Sequence, residues 1–279
     1  ILIDLNGHTN GHRLPVLARG PAAVQATWLD YVNSTGVAAV DYLVADRIHV
    51  PEGEEPRFSE RVLRLPRDYI CYAPLSTRPV APLPMATRGM PTFGCFGAPY
   101  KITEPVMEAW SRILRRVPGA RLLLNFVHYR SAPTRRRVLD GLAAHGVAPD
   151  RVILRPGGAH GDFIAAYDEV DVALDTFPYS SGLTACEALW MGVPIVTFPG
   201  DRFAARHATS HLVHTGLPEW IAADCDAYVD RAVAAVADPP RLARLRGALR
   251  GHVEASNLMD RGDFLARFGE ALDAMWDGR

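Results

Sequence analysis

Gly182, Leu183, Thr184 and Glu187 stand close together within VDVALDTFPYSSGLTACEALWMGVPIVTFPG, residues 170–200. A helix that begins at Gly182 or Leu183 leaves the backbone N–H groups of Leu183, Thr184 and Ala185 without intrahelical acceptors. They sit at the end where the helix dipole favours an anion. Gly182 lets a phosphate come close to the backbone. Glu187, about one turn further on, can accept hydrogen bonds from two vicinal ribose hydroxyls. The combination suits the diphosphate and ribose of a nucleotide. The other reading is a turn glycine followed by a surface glutamate, and this stretch alone leaves both open.

The elements around these residues read as a βαβ unit. Val172 to Leu174 is a short apolar strand, and Asp175, Pro178, Ser180, Ser181 and Gly182 break the pattern. The helix carries Ala185, Leu189 and Met191 and ends at Gly192, and Ile195 to Phe198 is the next buried strand. Such a unit belongs in a parallel sheet.

Two more strand-end loops point to the same sheet edge. Gly97 to Lys101 (GAPYK) follows the strand Thr92 to Phe96, and Gly157 to His160 follows the strand Val152 to Leu154. Lys101 brings an ammonium into phosphate range, although alone it reads as a solvated lysine. The convergence of a lysine loop, a helix N-terminus and a helix carboxylate is more specific than any of them singly. Between these elements, Thr103 is placed to cap a helix with Val106, Trp110, Ile113, Leu114 and Val117 at 3.6-residue spacing. Arg121 to Phe126 reads as a strand, and Thr134 to His145, His160 to Glu169 and Phe203 to Thr215 read as helices. Cys225 to Trp276 is helical, with breaks near Pro239–Pro240 and around Gly251 to Asp260.

The N-terminal part is a separate α/β region. Ile1 to Leu5, Ala22 to Thr27 and Tyr42 to Ala45 read as strands, and Phe58 to Leu65 as a strand or irregular segment. The loop NGHTNGHR leaves the first strand, which makes His8, His12 and Arg13 candidates for substrate contact. Against this stands a solvated loop leading into a helix, Leu14 to Arg19. Pro74, Pro79, Pro82, Pro84 and Pro91 leave no room for helix or central strand, so residues 74–91 read as a linker. The domains are then 1–73, 92–255 and a C-terminal helix, 256–279, that packs back toward the first domain. The sequence opens inside an apolar strand with no initiator Met, which points to further chain upstream.

Composition sets outer bounds. With 279 residues and 48% hydrophobic content, the chain can build one large core or two medium ones. A net charge of -1 carries no global basic field for nucleic acid or an anionic membrane. Cys71, Cys95, Cys186 and Cys225 form no CxxC pair, so neither a zinc site nor a disulfide framework is indicated. Without a signal peptide or a membrane-length apolar run, the expected location is cytoplasmic.

Taken together, NGHTNGHR, PAAVQATWLDYVNSTG, VDYLVAD, FSERVLRLP, FGCFGAPYKIT and VALDTFPYSSGLTACEALWMGVPIVTFPGDRFAAR resemble the O-GlcNAc transferase/SPINDLY glycosyltransferases in order and spacing. The helix Leu265 to Trp276 completes the match. The segment DTFPY…T.CEALWMGVP is most similar to the bacterial SPINDLY-type branch. The resemblance implies an α/β fold of the GT-B class, two Rossmann-like domains with parallel sheets facing a cleft, the first one incomplete here. It implies inverting, metal-independent transfer of a sugar, GlcNAc, from a UDP-sugar donor to Ser or Thr of an acceptor protein, with no cofactor. By the same match Lys101 neutralises the donor diphosphate, Thr184 binds it and Glu187 holds the ribose. His160 falls near the base, Arg206 is structural or donor-proximal, and His8 and Asn10 approach the sugar and acceptor. Lys101 and His8 are the catalytic candidates, with Gly182 and Leu183 lining the diphosphate.

This sequence also departs from the family. Gly182, Leu183 and Ala185 replace a histidine or threonines, which thins side-chain contacts to the diphosphate. Ala98 replaces a polar base-contacting residue of some members, Asp30 a glycine, and Val32–Asn33 a Pro-Gly pair. The family's upstream histidine and its tetratricopeptide repeats lie outside this sequence. Two alternatives stay open: a glycosyltransferase acting on a small molecule or glycan, and a non-catalytic module that binds a nucleotide sugar. A simple NAD-binding protein is disfavoured because no G-x-G-x-x-G follows a strand.

Overall fold

Short apolar runs bracketed by glycine and proline produce two all-parallel sheets. The computed structural model describes residues 1–278. The chain divides into two compact units, one made of Ile1–Tyr72, Asp201–Ala204 and the stretch from Ala255, the other of Ala73–Gly200 and Ala205–Glu254.

The first unit holds β1 (Leu2–Asp4), β2 (Gln25–Thr27), β3 (Tyr42–Asp46) and β4 (Arg61–Leu65), in the order β1-β2-β3-β4. Strand β3 is buried throughout, as expected of a parallel strand covered on both faces. Alternation sends Tyr42 and Val44 to one side, against Phe264, Ala271 and Met275 of the helix Arg261–Asp277. Leu43 and Ala45 face the other side, against Val50, Tyr69 and Phe203. Asp260 caps that helix by accepting from the Asp263 N–H at 3.0 Å. The nearly buried Arg67 ties it down by donating to the Asp260 carbonyl and the Asp263 carboxylate, both at 2.9 Å.

The second unit holds β5 (Thr92–Cys95), β6 (Arg121–Asn125), β7 (Val152–Arg155), β8 (Val172–Leu174) and β9 (Ile195–Val196), ordered β7-β6-β5-β8-β9. That is the Rossmann order, with the strand sequence reversing between β5 and β8. Ligands of open α/β sheets bind at the carboxyl ends of strands beside such a reversal. The loops leaving β5 and β8 are those that carry Lys101 and Gly182.

Several expected elements differ. Residues 74–91 belong to the second unit rather than forming a free linker, and contain a one-turn helix, Met85–Arg88. Prolines have no N–H, but their neighbours' carbonyls still accept: Trp190 donates to Ser76 O at 2.8 Å and Arg246 to Ala81 O at 2.7 Å. Thr103 occupies the N-cap position of Glu104–Arg116 without capping it, because its hydroxyl donates to Phe177 O at 3.1 Å. The expected helix Phe203–Thr215 splits into a 3-10 turn, Phe203–Ala205, and the helix His207–His214. Phe203 packs with the first unit's core, which holds the chain out of helical register until His207. The strand expected to reach Phe198 stops at Val196, with Thr197 making an isolated bridge to Ile221.

Candidate functional site

The site is built around Asp175, the first residue beyond β8. Its buried carboxylate accepts from the Thr176 N–H (2.9 Å), the Ser181 N–H (2.7 Å), the Ser180 hydroxyl (2.6 Å) and the Thr197 hydroxyl (2.7 Å). Burial pushes its pKa up, and these hydrogen bonds oppose the shift. The loop from Thr176 to Ser181 is thereby wound around one carboxylate. The Ser180 oxygen also accepts from the Ala208 N–H at 3.0 Å, which docks the start of the His207 helix on the same loop. These bonds decide where the helix Leu183–Trp190 begins.

At that helix start the N–H groups of Leu183 and Thr184 and the Thr184 hydroxyl have no partner among the described residues. The N–H of Ala185, expected to be free, instead donates to Gly182 O at 2.9 Å. Leu183 is 60% exposed at the mouth of the site. A Cβ added at Gly182 meets only His207 Cγ, at an ordinary 3.9 Å, so the chain's own packing does not require glycine there.

Lys101 ends a 3-10 turn, Pro99–Lys101, that Arg137 pins by donating to Pro99 O (2.6 Å) and Ile102 O (3.1 Å). Its ammonium donates to Ser180 O at 2.9 Å and lies 3.6 Å from the centre of the Tyr179 ring. Burial lowers the Lys101 pKa, while the Asp175 charge raises it. Glu187 is 4% exposed and has no hydrogen-bond donor among the described residues. Burial pushes its pKa up to about 7. His160, at the start of the helix His160–Ala165, brings Nε2 to 3.8 Å from the Glu187 carboxylate. Lys101, Gly182, Leu183, Thr184, Glu187 and His160 therefore share one edge of the second unit.

Arg206 is nearly buried and donates to Gly200 O at 2.9 Å, which closes the turn before the His207 helix. His8 lies on the first unit. Its Nε2 is 2.7 Å from Thr35 O, and because a carbonyl can only accept, that nitrogen is the donor. Thr35 is held in turn by buried Glu60, which accepts from its N–H at 2.7 Å and from its hydroxyl. Gly7 adopts φ +50 and lies so close to Tyr31 that a Cβ would fall 2.1 Å from the tyrosine Cβ. Asp30, a departure from the family pattern, accepts from the Thr9 hydroxyl at 2.7 Å and joins the two loops. Asn10 contributes only its carbonyl, to Asn6.

Reading the sequence for chemistry missed Asp175, Tyr179 and Ser180 as parts of the site. The available signal was an aspartate directly after an all-apolar strand, a place where a charge needs several donors. Among the described residues, no three His, Cys, Asp or Glu side chains gather as a metal site, and no helix is long and apolar enough to cross a membrane.

The profile of Glycosyl transferase family 41 matches residues 1–73 and 75–267. A Petunia hybrida protein named "Probable UDP-N-acetylglucosamine--peptide N-acetylglucosaminyltransferase SPINDLY" is 37% identical over 99% of this chain. The Arabidopsis thaliana protein of the same name is also 37% identical over 99% of it. This chain spans 30% of the length of each of these relatives. An O-GlcNAc transferase mutant from Thermobaculum terrenum superposes with a TM-score of 0.92 and 39% identity, over 99% of this chain and 52% of that one. The two parallel-sheet units place the fold in the GT-B class, and the chain belongs to glycosyl transferase family 41.

Proposed function

We propose that this protein is a glycosyltransferase that moves N-acetylglucosamine from a uridine diphosphate donor to a serine or threonine hydroxyl of a protein, with inversion and without a metal ion. One observation carries the reading. The Lys101 ammonium sits on the loop that opens the helix Leu183–Trp190, beside two unpartnered backbone N–H groups and a buried carboxylate without a donor. A diphosphate takes the first two features and a ribose diol the third. The names of the relatives support the donor and the acceptor class.

In the reaction the hydroxyl oxygen attacks the anomeric carbon as the bond to the diphosphate oxygen breaks, and the hydroxyl proton leaves to solvent. Negative charge gathers on the leaving phosphate, where Lys101 and the N–H groups of Leu183 and Thr184 stabilise it. Donors fixed in place before the charge arrives supply much of the rate enhancement of such sites. His160 lies beside Glu187, at the base end of the nucleotide. His8, on the first unit and with its Nε2 held by Thr35 O, is proposed to approach the acceptor hydroxyl. Arg206 has a structural role in holding the turn at Gly200.

The test is transfer of labelled GlcNAc from UDP-GlcNAc to a serine/threonine peptide library in the presence of EDTA, together with calorimetric titration of UDP and of GDP. The expected result is transfer and saturable UDP binding, both lost in Lys101→Ala while the melting temperature is kept. Binding of neither nucleotide overturns the site. UDP binding without transfer to any peptide overturns the protein-acceptor reading.

A further inference from the structure

Lys101 is the only lysine in the sequence, and every other cationic side chain of this type is arginine. A chain so biased toward arginine retains lysine where a guanidinium does not serve. The surroundings of Nζ give the reason. One N–H points to Ser180 O at 2.9 Å, and the ring of Tyr179 lies under the ammonium at 3.6 Å. An ammonium has three N–H donors. With one on the carbonyl and one toward the ring, a single donor remains for a ligand. Both partners are fixed: Tyr179 O accepts from the Thr176 hydroxyl at 2.7 Å, and the Ser180 hydroxyl donates to Asp175 at 2.6 Å. Burial disfavours the charged form of Lys101, and the Asp175 charge opposes that shift.

We propose that Tyr179 is the positioning residue of Lys101, its ring face holding the ammonium as a cation and aiming the remaining N–H at the donor diphosphate. A compact point charge fits over one ring and beside one carbonyl, whereas a planar fork with five donors does not. The cradle distinguishes this site from one that relies on a solvated lysine, which would be mobile and would direct none of its donors. The inference rests on the diphosphate reading of Lys101 given above.

The single lysine makes the test direct. Incorporation of ¹³C-labelled lysine gives one lysine Cε signal, whose shift follows the Lys101 titration with all three N–H donors in place. Tyr179→Phe keeps the ring and leaves the midpoint unchanged. Tyr179→Leu lowers the midpoint by roughly half a unit to one unit. In the transferase assay Tyr179→Leu lowers kcat about tenfold with less effect on the donor KM, because the contact strengthens as charge arrives. The alkaline limb of its pH profile moves to lower pH, and Tyr179→Phe restores both.

If Tyr179→Leu does not fold, fluorinated phenylalanines at position 179 keep the shape while weakening the ring face, and the midpoint then falls stepwise with fluorine number. A midpoint unchanged across that series, or a Tyr179→Phe variant as impaired as Tyr179→Leu, overturns the proposal. The titration is read without substrate, so failure of the transferase reading is seen separately, as absent turnover with an intact midpoint shift.

Discussion

Oε1 of Glu187 lies 3.8 Å from Nε2 of His160, too far for a hydrogen bond, and the carboxylate accepts from no other group among the described residues. A carboxylate this buried and unsupplied is costly in an empty protein and useful in a liganded one. Its pKa of about 7 expresses that cost. A ribose diol supplies the two missing donors and favours the ionised form.

Donor binding therefore depends on pH in one direction. UDP-GlcNAc itself has no group that titrates near neutrality, so the change belongs to the protein. Affinity should rise about tenfold between pH ~6 and pH ~8 as Glu187 ionises. Calorimetry in buffers of different ionisation enthalpy should show proton release on binding near pH ~7. Glu187→Gln should bind more weakly and lose the slope. A flat profile for the unsubstituted protein would count against the ribose assignment.

The same group makes stability depend on pH in the opposite sense. The folded pKa of about 7 lies above the ordinary glutamate value of 4.5, so the native state holds the proton more tightly than the unfolded chain. Its contribution is fully present below about pH 4.5 and is lost as pH rises through about 7. Relative to the unsubstituted protein, Glu187→Gln should be near neutral at pH ~5 and more stable at pH ~8 by about 1–2 kcal/mol, after allowance for partial solvation. Urea melts at the two pH values measure the difference, and an equal difference at both would sink the argument.

Asp175 is the structural counterpart of this site. Asp175→Ala leaves two hydroxyls and two N–H groups without their acceptor. It should cost about 3–5 kcal/mol and abolish UDP binding together with the fold of the loop. Asp175→Asn keeps one acceptor oxygen and should lose less. Denaturation midpoints and UDP titration of both variants decide it. Full UDP binding by Asp175→Ala would show that the loop does not depend on this carboxylate.

Two glycines should respond differently to alanine. At Gly7 the new Cβ would strike Tyr31 at 2.1 Å in a backbone with φ +50, so Gly7→Ala should destabilise the first unit. At Gly182 the nearest atom is 3.9 Å away, so Gly182→Ala should destabilise less than Gly7→Ala. The same change should weaken UDP binding about tenfold if the diphosphate rests against that backbone. Unaltered UDP affinity in Gly182→Ala would place the phosphates elsewhere.

Lysine at position 101 should not be replaceable by arginine. Lys101→Arg keeps the charge but brings a planar group to a niche formed by one carbonyl and one ring. Turnover should fall roughly a hundredfold, with UDP binding reduced less. Near-normal turnover in this variant would mean that charge alone suffices.

Much of this protein is determined by local sequence. Val172 to Leu174 is a buried strand because three apolar residues, two of them with strong strand or core preference, are bounded by a break at Asp175. The helix beginning at Leu183 follows from Gly182 before it and Gly192 after it, and Glu187 falls one turn inside by counting alone. The motifs were specific enough to identify the family, because strand-end loops carry chemistry in a fixed order along the chain. Tertiary structure decided what depends on distant partners. Phe203 delays the helix to His207 because it packs with Leu43 and Tyr69, far away in sequence. The prolines of residues 74–91 lie on the second unit because Trp190 and Arg246 find carbonyls there. Tyr179 came under Lys101 only when Asp175 had gathered its four donors, and Glu187 acquired its raised pKa only when the neighbouring elements shut water away from it. Periodicity and turn chemistry are written in adjacent residues, whereas burial, and with it the energy of a charge, is set by whatever the rest of the chain packs against that charge.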